Sequence, residues 1–190
     1  MKRTAQLLAG VALLAGCGGE PITTESVVRA QPQTSDSRES ESNVNKDLAE
    51  LRRVTAPFHS FDKATAAGWS AKITACMSDP ALGGMGFHYG NTALIDGVAR
   101  VNEPELLLYE PEKNGDLRLV AVEYIIPYTF HARSAAPPEL FGQKFVQNDV
   151  FQLWGLHAWV WKDNPSGMFA NWNPSVSCKN TTDVMAMTHN

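Results

Sequence analysis

The sequence predicts an α+β fold, a single domain with N-terminal helices packed on a mainly antiparallel sheet. Three observations point to it. Helically spaced apolar residues precede the aromatic-rich region, and short apolar runs punctuated by turn residues follow them. There is also no βαβ rhythm and no internal repeat. A chain of 190 residues suits one domain of ordinary size. Every Phe, Trp and Tyr lies between Phe58 and Trp172, which marks the extent of the core.

The first helix is read from Val44, Leu48, Leu51 and Val54 or Thr55, with Lys46, Glu50 and Arg53 on the opposite side; Pro57 stops it. A second, short helix is expected over residues 61–67, with Ser60 as N-cap and Gly68 at its end. Residues 69–77 read as extended and lead into Cys76. Residues 105–109 and 117–126 form the clearest hairpin, because Asn114-Gly115 between them permits positive φ. Residues 156–161 make a further strand, closed by Asn164-Pro165-Ser166-Gly167, and residues 168–172 return beside it. The globular domain is thus assigned to residues 46–180, with a flexible tail over 181–190.

Sixteen basic against twenty acidic residues give a net charge of −4, so no basic field is available to hold nucleic acid. A mean hydropathy of −0.21 excludes a multi-span membrane protein. The start of the chain is informative. Lys2 and Arg3 precede an apolar run too short to span a bilayer, and Leu14-Ala15-Gly16-Cys17 closes it. This is a signal peptide over residues 1–16. Leu14-Ala15-Gly16-Cys17 resembles the bacterial lipobox, in which the cysteine thiol carries the lipid. The resemblance implies a mature lipoprotein beginning at acylated Cys17 and anchored in the bacterial cell envelope without a transmembrane helix. Residue 18 is Gly rather than Asp, which points to the outer membrane where a cell has two.

Residues 17–45 contain no aromatic residue and are rich in Ser, Thr, Glu, Gln and Pro. Such a stretch buries too little apolar surface to offset its ordering entropy, and it reads as a disordered tether. With Cys17 consumed by lipid, Cys76 and Cys178 are an even pair in a compartment where disulfides persist. A Cys76–Cys178 bridge is expected. Two buried thiols or a thiolate metal site are the alternatives, and no C-x-x-C spacing supports the latter.

Three places carry candidate chemistry. Residues 83–90 surround His88 and Tyr89 with four glycines, suited either to a narrow site or to an irregular loop with a core histidine. Glu123 interrupts the apolar run 119–126, and alternation groups it with Leu119 and Ala121. Along residues 156–161, alternation puts His157, Trp159 and Trp161 on one face, either as a stacking wall for a flat ligand or sugar ring or as a surface covered by a helix. His88, Glu123 and His157 together are a two-His, one-carboxylate set suited to Zn²⁺ or Fe²⁺, if the fold unites them. Met185, Met187 and His189 offer soft ligands for Cu(I). No G-x-S-x-G elbow is present, and lipidation plus a disulfide would leave no free cysteine nucleophile.

The ordered series Phe87-His88-Tyr89, Leu106 to Glu110, Leu117 to Ile126, Leu153-Trp154-Gly155-Leu156-His157, Gly167 and Trp172-Asn173-Pro174 is similar to the oil-body-associated protein family over about residues 85–175. The resemblance brings no settled reaction. It implies that His88, Glu123, Tyr124 and His157 share a site. Phe87 stands where the family has the first His of a pair, and Gly90 where a Cys often follows.

The expected function is a membrane-tethered, non-catalytic domain that binds a small molecule or glycan through His88, Tyr89, Glu123, His157, Trp159 and Trp161. The second expectation is a metal-dependent enzyme on His88, Glu123 and His157. The third is a purely structural envelope protein.

Overall fold

A computed structural model of the chain describes residues 35–187. The signal peptide, Cys17, most of the tether and His189 lie outside these residues. Two helices come first, α1 (Ser35–Thr55) and α2 (Phe61–Ala66). The strands follow as β1 (Ala71–Asp79), β2 (Gly83–Gly90), β3 (Leu106–Pro111) and β4 (Leu117–Pro127). Then come β5 (Glu139–Leu140), β6 (Gln143–Lys144), β7 (Val146–Asn148), β8 (Leu153–Ala158) and β9 (Val184–Ala186). Sheet dominates, so the architecture is α+β weighted toward β.

Seven strands form one mixed sheet in the order β7-β8-β4-β3-β2-β1-β9. Five neighbouring pairs are antiparallel, and β9 adds to β1 in parallel. The two sheet faces bury different clusters. On one, Leu107, Tyr109, Val122, Tyr124, Ile126, Trp154 and Leu156 meet Leu48 and Leu51 of α1. On the other, Leu106, Leu108, Ala121 and Ile125 meet Met77, Met85, Trp159 and Val176. Strand alternation is the reason: consecutive side chains point to opposite faces, and both faces are covered.

Three sequence-derived boundaries need correction. Helix α1 begins at Ser35, so residues 35–45 belong to a helix rather than to the tether. Residues 39–43 are exposed and the apolar stripe starts only at Val44, and Thr55 rather than Val54 completes the buried stripe. Residues 184–186 pair with Cys76–Ser78 instead of forming a free tail. The reason is covalent: Cys76 and Cys178 are bridged, with Cα atoms 5.8 Å apart, and the bridge brings the chain end alongside β1. Finally, residues 83–90 are a strand and not a loop, with positive φ at Gly83 and Gly86 and register shifts against β1. At Gly86 a Cβ would stand 2.4 Å from the Tyr109 carbonyl oxygen, so glycine lets β2 close on β3 beside His88.

The helix ends follow the expected physics. Pro57 sits at the start of a short 3₁₀ turn, Ala56–His59, which terminates α1. The Ser60 side chain accepts from the Lys63 backbone N–H and caps α2.

Candidate metal centre

Strand order brings together three groups remote in sequence. On β4, Glu123 stands directly opposite His157 of β8 and Leu106 of β3. His88 of β2 faces Leu108, one strand further and two residues along, so it reaches Glu123 diagonally across β3. His88 Nε2 lies 3.5 Å from Glu123 Oε2, and His157 Nε2 lies 3.9 Å from Glu123 Oε1. One ligand atom from each of the three residues falls within 4.8 Å of the other two. Ligand atoms bound to one metal at 2.0–2.2 Å stand roughly 3–3.5 Å apart, so the set needs to contract by about an ångström.

Register shifts in β4 and β1 help to build this face. Leu108 pairs with Ala121 but Tyr109 pairs with Leu119, so Val120 is an extra residue in β4. This bulge turns Leu119 to the helix face and leaves Ala121, Glu123 and Ile125 on the site face, which corrects the grouping of Glu123 with Leu119. A second register shift makes Ile73 the extra residue between Lys72 and Thr74, and both Ile73 and Thr74 reach the cavity.

The cavity holds about 90 Å³ and opens at the β1–β7 side of this face. Its floor is His88, Glu123 and His157; its walls include Met77, Met85, Leu106, Ile125, Phe151 and Leu153. Gly155 is part of the construction, because a Cβ there would stand 2.9 Å from Glu123 Oε1.

Hydrogen bonding is uneven in an informative way. His88 Nδ1 is 2.8 Å from Thr74 Oγ1, which fixes the ring and turns Nε2 toward Glu123. A metal-ligating His is typically held in this way by its other nitrogen. His157 is buried, and neither of its ring nitrogens makes a hydrogen bond to any of the described residues. The Asn171 side chain faces it and favours its protonated form, but without hydrogen-bonding geometry. Its ring lies parallel to Trp159, with centroids 6.0 Å apart. An unpaired buried imidazole costs on the order of 1–3 kcal/mol unless something satisfies it.

Burial keeps the metal-free cluster uncharged. Desolvation, reinforced by the neighbouring imidazole of His157, holds His88 down to about 3. Desolvation alone holds His157 down to about 4. Burial, with Glu105 nearby, pushes the Glu123 carboxyl up to about 8. The donor set at neutral pH is therefore two neutral imidazoles and a carboxylic acid, whose proton a divalent cation would displace.

The remaining candidates are elsewhere. Tyr89 points to the helix face, where it packs edge-on against Phe61 and Tyr109. Trp161 follows β8 and crosses to the same side, donating through Nε1 to Thr55 Oγ1. Trp159 is buried behind His157 and donates to the Ala170 carbonyl. The expected aromatic wall is thus not assembled, because β8 ends at Ala158 and alternation ends with it. Tyr124, which the family resemblance grouped with the site, faces the helices and donates to the Val101 carbonyl. Met185 is exposed and Met187 packs against the second cluster.

Sequence reasoning missed Thr74, Gly155 and Asn171. None has a motif signal, and each acts through a neighbour remote in sequence. Comparison with protein-family models, with curated proteins and with solved structures finds no match to this chain. Among the described residues, no helix is long and apolar enough to cross a membrane.

Proposed function

We propose that this chain is an extracytoplasmic lipoprotein whose domain holds a divalent first-row metal ion on His88, Glu123 and His157, at the floor of a small-ligand pocket. One observation carries the reading: a buried His157 with no hydrogen-bond partner shares a cavity with a second imidazole and a carboxyl group, all with ligand atoms within 4.8 Å. Two imidazoles and one carboxylate suit Zn²⁺ or Fe²⁺ and leave coordination positions open toward the cavity. The arrangement supports metal and ligand binding; a glycan platform lacks its aromatic surface. In the same proposal, acylated Cys17 anchors the protein in the cell envelope, on the outer membrane where two exist. The N-terminal helices serve as the cover of the sheet face opposite the pocket. Kinship with the oil-body-associated protein family over residues 85–175 belongs to the proposal through His88, Glu123 and His157.

The test is metal analysis of protein purified without chelator, followed by zinc titration against a competing dye. The expected result is one metal ion per chain for the wild type and at least hundredfold weaker uptake by His157→Ala and His88→Ala. Wild-type zinc affinity no better than that of the double variant would end the metal reading.

A further inference from the structure

The wall above the three ligands has a chemistry that selects what binds there. Among the described residues, no Lys or Arg side chain lines the cavity. The walls are largely aliphatic, and the mouth is flanked by Ile73 and Val146, which are 43% and 48% exposed. A polar group free to meet an incoming ligand is the Asn171 amide beside His157, since Thr74 is engaged with His88, Gln147 donates to the Arg133 carbonyl and Asn148 accepts from the Phe151 N–H.

Charge then narrows the choice. A divalent ion on two neutral imidazoles and one carboxylate has a net charge of +1. Burial penalises any residual charge, and one monoanion in an open coordination position removes it. A dianion would overshoot, with no Arg or Lys to compensate. A cation would be repelled. We propose, resting on the metal reading above, that the pocket binds a small amphiphilic monocarboxylate, with its carboxylate on the metal ion, Asn171 donating to that carboxylate, and a short alkyl tail along Phe151 and Leu153 toward Ile73 and Val146. The tail rather than the head sets the size limit, because the head is fixed on the floor and the tail extends toward an open mouth.

The experiment is calorimetric titration of the zinc-loaded protein with linear carboxylates from acetate to decanoate, and with hexylamine and inorganic phosphate as probes of the other charges. Zinc-free protein serves as reference. Hexanoate is expected to bind one to one, at least tenfold tighter than acetate and at least tenfold tighter than to zinc-free protein, with hexylamine and phosphate silent. Phe151→Ala should flatten the dependence on chain length while leaving zinc uptake unchanged, and Asn171→Ala, compared at equal zinc occupancy, should weaken hexanoate about tenfold. If zinc binds one to one but hexanoate gains nothing from it, or phosphate binds more tightly, the ligand class is wrong and the metal reading stands. If zinc is not taken up at all, both fall together.

Discussion

Replacing Gly155 by alanine separates a carboxylate poised to hold a metal from one that merely fills the core. Gly155 lies in β8, flanked by Ile125 of β4 and Val146 of β7, on the face that carries Glu123 and His157. An alanine Cβ would stand 2.9 Å from Glu123 Oε1 and 3.6 Å from Leu153 Cδ1, while ordinary contacts begin near 3.4 Å. The carboxyl group must therefore recede by roughly half an ångström, beyond the ±0.2 Å that metal–oxygen distances tolerate. Displacing a group that orients a ligand typically weakens metal binding 10–100-fold. Stability should change little. The residue occupies ordinary strand backbone, so alanine recovers about 0.4–1 kcal/mol of chain entropy against about 1–3 kcal/mol of overpacking. Zinc competition titration reads the first quantity and thermal melting of the metal-free protein the second. The expected result is a loss of at least tenfold in zinc affinity with a melting temperature within a few degrees of wild type. Zinc affinity within twofold of wild type, at unchanged stability, would refute Glu123 as a ligand and the account of Gly155 with it.

Other outcomes follow from the same structure. In metal-free protein, Glu123 and Glu105 are held near 8 by burial, so the folded state keeps two protons that the unfolded chain releases above about pH 4.5. His88 and His157 act oppositely but only below their unfolded value of 6.5, where the unfolded chain binds protons the fold refuses. The two effects offset each other between pH 4.5 and 6.5. Urea unfolding should then show stability falling by a few kcal/mol between pH 6.5 and 8.5, at about 1.4 kcal/mol per proton and pH unit; a rise over that window would contradict the burial of the two carboxyls. The Cys76–Cys178 bridge spans 102 residues, and closing a loop of that length is worth about 4.7 kcal/mol in the chain-entropy model. Paired Cys76→Ser and Cys178→Ser should lose several kcal/mol by urea unfolding, and a loss under about 1 kcal/mol would show that the unfolded chain is not constrained by it. For the anchor, cells fed labelled fatty acid should label the wild type and not Cys17→Ser, which should leave the membrane fraction; equal labelling would place the lipid elsewhere or nowhere.

Much of this molecule can be read locally. Pro57 and Ser60 mark helix ends because a missing N–H and a capping hydroxyl act on adjacent backbone. The Asn114-Gly115 turn joins β3 to β4 because positive φ is a property of Gly115 itself. Cys76 and Cys178 are the two cysteines of the aromatic-rich region and its flank, and the bridge expected between them is the one that the structure contains. His88, Glu123 and His157 stand out because polar groups inside apolar strands call for partners.

Which partners they find is a different matter. The alternation of side chains has a period of two, but a single extra residue at Val120 inverts it, as does the end of β8 at Ala158. For that reason Leu119 and Trp161 lie opposite the site that a strict pattern would give them, whereas Tyr89, next to His88 in β2, faces away from the site by simple alternation. Sequence by itself determined the residue types able to bind a metal, the expected pairing of the sulfurs, the end of α1 and the start of α2. Only the order β8-β4-β3-β2-β1 decided that His157, Glu123, His88 and Thr74 form one connected set with Gly155 beneath the carboxylate. Strand order is fixed by packing both faces of the sheet at once, and no local stretch of chain contains that information.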